Sequence, residues 1–152
     1  NLRPKYKTKS GRTVYGGGGI TPDIYVPYKN EINIETAKLL TNPKRPVFNF
    51  TSNYAQTFEN DFDTFNNFKS DWDVSANTFE SFLEFLKTDS IEFIQDSLEL
   101  DQEYIKNRIK SELAGSIWGK NESTNIRLIY DNQVKEALKH FNRANAFIES
   151  IN

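Results

Sequence analysis

The chain has 152 residues, of which 37% are hydrophobic and 14% aromatic, with twelve Phe, no Cys, no Met and a formal net charge of −2. That aromatic content excludes a disordered chain, and the length fits one domain, or one domain with an attached piece of another. Disulfides and thiolate metal centres are excluded by the lack of cysteine. No apolar run approaches the roughly 18 residues that span a bilayer.

The charge is uneven along the chain. Residues 1–29 carry Arg3, Lys5, Lys7, Lys9, Arg12 and Lys29 against the single acid Asp23, and the remainder is acidic. This asymmetry predicts two pieces, 1–29 and 30–152. Six cations without interleaved stacking positions are a weak nucleic-acid signal. A solvated strand face, or one docked on an acidic neighbour, accounts for them better.

In chain order, residues 4–8 alternate and read as a strand. Ser10-Gly11 reads as a turn, and Arg12 to Tyr15 as a second strand. Gly16 to Gly19 cannot form a regular element, because ordering glycine is entropically costly. They read as a bend whose backbone packs tightly under another part of the molecule. Pro22 biases Thr21 to an extended conformation, and Ile24 to Val26 read as a third strand ended by Pro27.

Beyond Glu31 the period becomes helical. Ile34, Ala37 and Leu40 suggest a short helix ended near Asn42-Pro43. Pro46 can open the next helix in its first turn. Phe50, Tyr54, Phe58, Phe62 and Phe65 then mark the face of one long helix, or of two with a kink near Asn60, Asp61 and Asp63. Such an aromatic stripe reads as core. Ser75 or Asn77 caps a helix whose face is Phe79, Phe82, Leu83 and Leu86. Asp96 with Glu99 reads as a second capping box, opening a helix through Leu98, Ile105, Ile109, Leu113 and Ile117. Gly115 in that helix suits close helix contact, and Gly119 ends it. Asn121 to Asn125 read as a polar loop, and Ile126 to Tyr130 as strand-like or as a lead-in. Asp131 or Asn132 caps a last helix with the face Val134, Leu138, Phe141, Asn145 and Ile148. The expected fold is therefore mainly α: about five helices behind a short hairpin or three-strand segment.

No catalytic, cofactor or metal residue stands out. His140 is the only histidine and has no nucleophile motif beside it, so it reads as a boundary residue. Asp61/Asp63 and Asp71/Asp73 lack the glycine and glutamate of a calcium loop and read as caps or solvated faces. A phosphate-binding loop needs a helix directly after its glycines, and here Pro22 and a β-prone triplet follow.

The stretch Tyr6 to Ile24, with Gly11-Arg12 and Gly19-Ile20-Thr21-Pro22-Asp23, resembles the end of the protease core in carboxy-terminal processing, or tail-specific, peptidases. Leu113-Ala114, Ile117-Trp118-Gly119, Val134 and Ala137-Leu138 resemble the helical C-terminal extension of one subgroup. The resemblance implies a parent serine endopeptidase with a Ser nucleophile, a Lys general base and a PDZ domain. It also implies a polypeptide substrate and an exported, periplasmic or membrane-anchored location, with any anchor outside this chain. In that family the nucleophile and base precede the segment present here, and Ser10 beside Lys9 is only a turn, so no catalytic residue carries over. The absence of Met even at Asn1 agrees with a fragment or a processed chain. The expected role is structural, regulatory or oligomerising, with pairing through the strand edge or the helical domain. The alternative is a free-standing helical interaction module.

Overall fold

The computed structural model describes residues 3–9, 11–19, 22–29 and 32–149. The protein is mainly helical, with one short two-stranded antiparallel sheet near its start. It comprises two compact units: Asn30–Tyr130, and Asn1–Lys29 together with Asp131–Asn152.

In the second of these units, β1 (Lys5–Lys7) pairs with β2 (Thr13–Tyr15) in the register Lys5↔Tyr15, Tyr6↔Val14 and Lys7↔Thr13. The turn closes through Thr8 N–H to Arg12 O at 2.9 Å and Gly11 N–H to Thr8 O at 2.9 Å. The third strand expected at Ile24 to Val26 does not form. At its end, side-chain amides take the carbonyls of Val26 and the following Pro27: Gln133 Nε2 donates to Val26 O at 2.8 Å, and Asn132 Nδ2 to Pro27 O at 2.9 Å. Those amides belong to the helix Asn132–Lys139, capped by Asp131, whose carboxylate accepts from the N–H groups of Gln133 and Val134. A further helix, Phe141–Glu149, follows. The single last helix expected from periodicity is thus broken at His140, which caps the first segment. Leu138 and Phe141 on the expected face are exposed. The side chain of Ile148 lies outside the described residues.

The unit Asn30–Tyr130 holds the core. Here α1 (Ile34–Leu40) is capped by Asn33, whose side chain accepts from the N–H groups of Glu35 and Thr36. Its buried residues are Thr36 and Leu39, while Ile34 is exposed, so the expected face is out of phase. Next, α2 (Pro46–Ala55) opens with Pro46 as expected. The aromatic stripe does not continue as one helix. A connection over residues 56–64 separates α2 from α3 (Phe65–Asp71), because Asn60, Asp61, Asp63 and Thr64 favour turns over helix interior. Thr64 caps α3 by accepting from Asn67 N–H.

The next helix, α4 (Ala76–Thr88), matches expectation. Ser75 caps it, and Phe79, Phe82, Leu83 and Leu86 are all buried. Burial of each is worth about 1.5–3 kcal/mol. The expected Asp96/Glu99 capping box is not formed: α5 (Gln95–Leu100) starts after Ile94 with no side-chain cap. The chain then breaks at Asp101 before α6 (Gln102–Ile117). Asp101 Oδ2 accepts from Asn33 N–H at 2.8 Å, so this carboxylate braces the start of α1 rather than that of α6. The expected polar loop after Gly119 is instead α7 (Lys120–Arg127), followed by a 3-10 turn at Leu128–Tyr130.

Two apolar clusters result. One joins Leu39, Val47 and Phe50 to the α4 face, Leu98, Ile105 and Ile109. The other surrounds Phe68 with Leu113, Ala114 and Ile126. The aromatic stripe reaches core as expected: Phe58, Phe62 and Phe65 all pack on the second cluster. Among the described residues no helix is long and apolar enough to cross a membrane.

Candidate functional site

The glycine run is explained by backbone conformation. Gly17, Gly18 and Gly19 have φ of 82°, 84° and 87°, a region that costs other residues about 1–2 kcal/mol. Nothing lies within 4 Å of where their Cβ atoms would stand, so these three do not pack tightly under anything, contrary to the expectation. Only Gly16 has a neighbour in the way, the exposed Tyr6 ring. A Cβ there would come within 2.5 Å of Tyr6 Cε2. Gly16 N–H donates to Pro4 O at 2.8 Å and so extends the ladder by one bond.

The basic residues of this segment lie at the surface. Arg12 Nη1 donates to Asp23 Oδ2 at 2.7 Å, tying the second strand to the chain beyond the glycines. Lys5 Nζ sits 5.8 Å from the Tyr15 ring centroid. Lys7, Lys9, Arg3 and Lys29 are exposed. Ser10 lies outside the described residues.

A polar cavity of about 390 Å3 opens beside α6, lined by residues that include Lys69, Asp73, Glu103, Lys106, Lys110 and Tyr130. Its deepest charge is Lys110, whose side chain is only 7% exposed. The ammonium donates to Asp73 Oδ1 at 2.8 Å and to Lys69 O at 2.9 Å, and it lies over the Phe68 ring. Lys69 donates to Asn125 Oδ1 at 2.7 Å, and Lys106 pairs with Glu103 at 3.0 Å. Each lysine thus has an acceptor, and three lysines face two acids along the wall. Burial, then the charges of Glu103 and Asp73, hold the Tyr130 phenol above its ordinary pKa. Asp73 is therefore more than the solvated face expected of it, since it holds a buried ammonium. Lys110 gave no signal in the sequence, where it sits between Ile109 and Ser111 like any surface lysine.

Asp71 accepts from the Ser70 hydroxyl at 2.6 Å, and Asp61 and Asp63 are exposed. Among the described residues no cluster of His, Asp and Glu could hold a metal ion. His140 Nε2 lies 3.2 Å from Glu136 Oε1, one helical turn before it. The Lys139 ammonium hydrogen-bonded to Glu136 holds that carboxyl below its ordinary pKa, with His140 adding to the effect.

These features define a mainly helical protein with a small appended hairpin and a charged seam along its longest helix. The chain belongs to a family of unknown function (DUF8443), matched over residues 44–119, half of its length. That match runs from the approach to α2 through the end of α6 and takes in Lys69, Asp73 and Lys110. No curated protein and no solved structure matches the chain.

Proposed function

We propose that this chain is the non-catalytic C-terminal part of a tail-specific serine endopeptidase. In this reading the hairpin completes a sheet of the protease core, and the helices serve a structural, regulatory or oligomerising role. The supporting observation is the hairpin itself. Its two strands are three residues each, pair with one another, and are largely exposed. A two-stranded ribbon of that length is marginal alone, and its open edges invite another strand. The sequence around it, Gly11-Arg12 through Pro22-Asp23, carries the likeness to the end of such a core. The parent would cleave polypeptides and work outside the cytoplasm.

The purified chain is then expected to leave an unstructured polypeptide intact, and measurable hydrolysis by it would overturn the proposal. The reading frame upstream of Asn1 is expected to encode a Ser/Lys protease core and a PDZ domain. A frame that instead gives a signal peptide directly before Asn1 favours the second reading, a free-standing helical interaction module. One observation supports that rival: the family match falls wholly within the unit Asn30–Tyr130, which has its own core.

A further inference from the structure

A second cavity, of about 160 Å3, lies between α1, the start of α2 and α6. At about 30 Å3 per water it has the space of about five waters. Its wall has two characters. Leu39, Leu40 and Val47 are apolar, while Arg45, Arg108 and Glu112 are charged. The Arg108 guanidinium is incompletely used. Its Nη2 lies 3.7 Å from Glu112 Oε1, a loose ion pair, and its Nε is buried with no hydrogen-bond partner among the described residues. The Nε has essentially no accessible surface, so only the terminal nitrogens of this side chain, which is 24% exposed, can meet a ligand in the cavity.

Arg45 adds a second, independent cation. It is held at a left-handed φ of 50°, unusual for a non-glycine residue, and its guanidinium stacks 4.1 Å from the Phe48 ring centroid. The same residue precedes α2, a ten-residue helix that no side chain caps and whose first turn holds no acid. Val47 and Phe48 of that first turn line the cavity, and their N–H groups add positive potential to it.

We propose that this cavity binds a small aliphatic monocarboxylate. The carboxylate bridges Arg45 and Arg108 beside the first turn of α2, and the aliphatic tail lies on Leu39, Leu40 and Val47. Guanidinium matches the planar carboxylate in two-point hydrogen bonding. Glu112 sets the charge of the ligand. Two arginines and one glutamate leave a single net positive charge, which a monoanion neutralises and a phosphate dianion overfills. The inference does not depend on the parent being a peptidase.

The test is a titration of the full chain, followed by NMR, with 4-methylpentanoate, its neutral amide and inorganic phosphate. The acid is expected to saturate below about 10 mM, moving the amide signals of Val47 and Phe48 and the Nε–H signal of Arg108. The amide and phosphate should each bind at least about tenfold more weakly, the cost of about 1.4 kcal/mol in one lost charged contact. Arg45→Asn, exposed and tolerant of the left-handed backbone, should weaken the acid about tenfold with circular dichroism unchanged. Glu112→Gln should strengthen the acid and admit phosphate. Equal binding of acid and amide, tighter binding of phosphate than of acid, unchanged affinity in Arg45→Asn, or no saturation by the acid would each overturn the assignment.

Discussion

Lys110 brings a full charge into a side chain that is 7% exposed, while its partner Asp73 stays largely in water at 87%. Such an arrangement is costly to break and cheap to replace. Removing one partner strands a buried charge, whereas exchanging the cation for an apolar group of like shape removes the need for the partner. Asp73→Ala is therefore expected to lower stability by about 1–2 kcal/mol, less than a fully buried pair because Asp73 is wet. Lys110→Met should cost less than Lys110→Ala, and Asp73→Ala should cost little in the Lys110→Met background. Urea unfolding of the four variants measures all three. Tyr130 gives a second residue-scale expectation. Its folded pKa lies above the ordinary value of 10.0, from burial and the two nearby acids. Below 10.0 both folded and unfolded phenols are neutral and the contribution is fully present. Above it the unfolded phenol ionises first, so stability falls as pH rises through the folded value. An ultraviolet titration should show a late tyrosine that disappears in Tyr130→Phe. Neither feature was legible in sequence. Helix α6 buries Ile105, Asn107, Ile109, Lys110, Ser111, Leu113 and Ala114, nearly all round its axis, because it packs against both α2 and α7. A one-face periodicity assigns Lys110 to solvent.

At the scale of elements, the legible parts were those with local causes. The hairpin followed from alternation and a glycine turn. Helix α4 followed from Ser75 and four apolar residues in phase, and α2 from Pro46. Elements with tertiary causes were not legible. Helix α7 has one fully buried apolar residue, Ile126, and is otherwise polar; what holds it is close packing on α6. Gly115 makes that approach feasible, since a Cβ there would stand 3.1 Å from Ser123 Cβ. Ser111 Oγ also donates to Ser123 O at 2.9 Å across the same contact. Gly115→Val is expected to destabilise the chain by about 1–3 kcal/mol despite leaving the interior of α6 richer in side chains. Thermal unfolding of Gly115→Val beside an exposed control such as Glu80→Ala checks this. The break at Asp101 also has a tertiary cause: its carboxylate serves Asn33, 68 residues away in sequence. Asn33 caps α1 and also donates from Nδ2 to Ser97 O at 2.5 Å. Asn33→Ala should cost about 1–2 kcal/mol, the upper range for a lost cap, and Asn33→Asp no less, because Asp keeps the cap but sets a carboxylate against Ser97 O and beside the Asp101 carboxylate. Chemical denaturation measures the difference.

For the whole molecule, the division at residues 30 and 130 makes a direct expectation. Helical periodicity resumes after Asp131 with no change of composition, so the sequence predicts 30–152 as one helical piece. In the structure residues 131–149 group with the hairpin segment, through the amides of Asn132 and Gln133. A chain of residues 30–130 alone is expected to unfold cooperatively in calorimetry, since both apolar clusters are complete within it. A broad, heatless transition would contradict this. Leu83→Ala within the first cluster should lower its midpoint by the equivalent of about 2–5 kcal/mol.

The sequence contains two tryptophans, and both meet the same ring: Trp72 stacks on Phe68 with centroids 5.0 Å apart, and Trp118 tilts over it at 4.8 Å. The intrinsic fluorescence of this protein is therefore a local instrument. Its emission reports the surroundings of Phe68, within the unit Asn30–Tyr130.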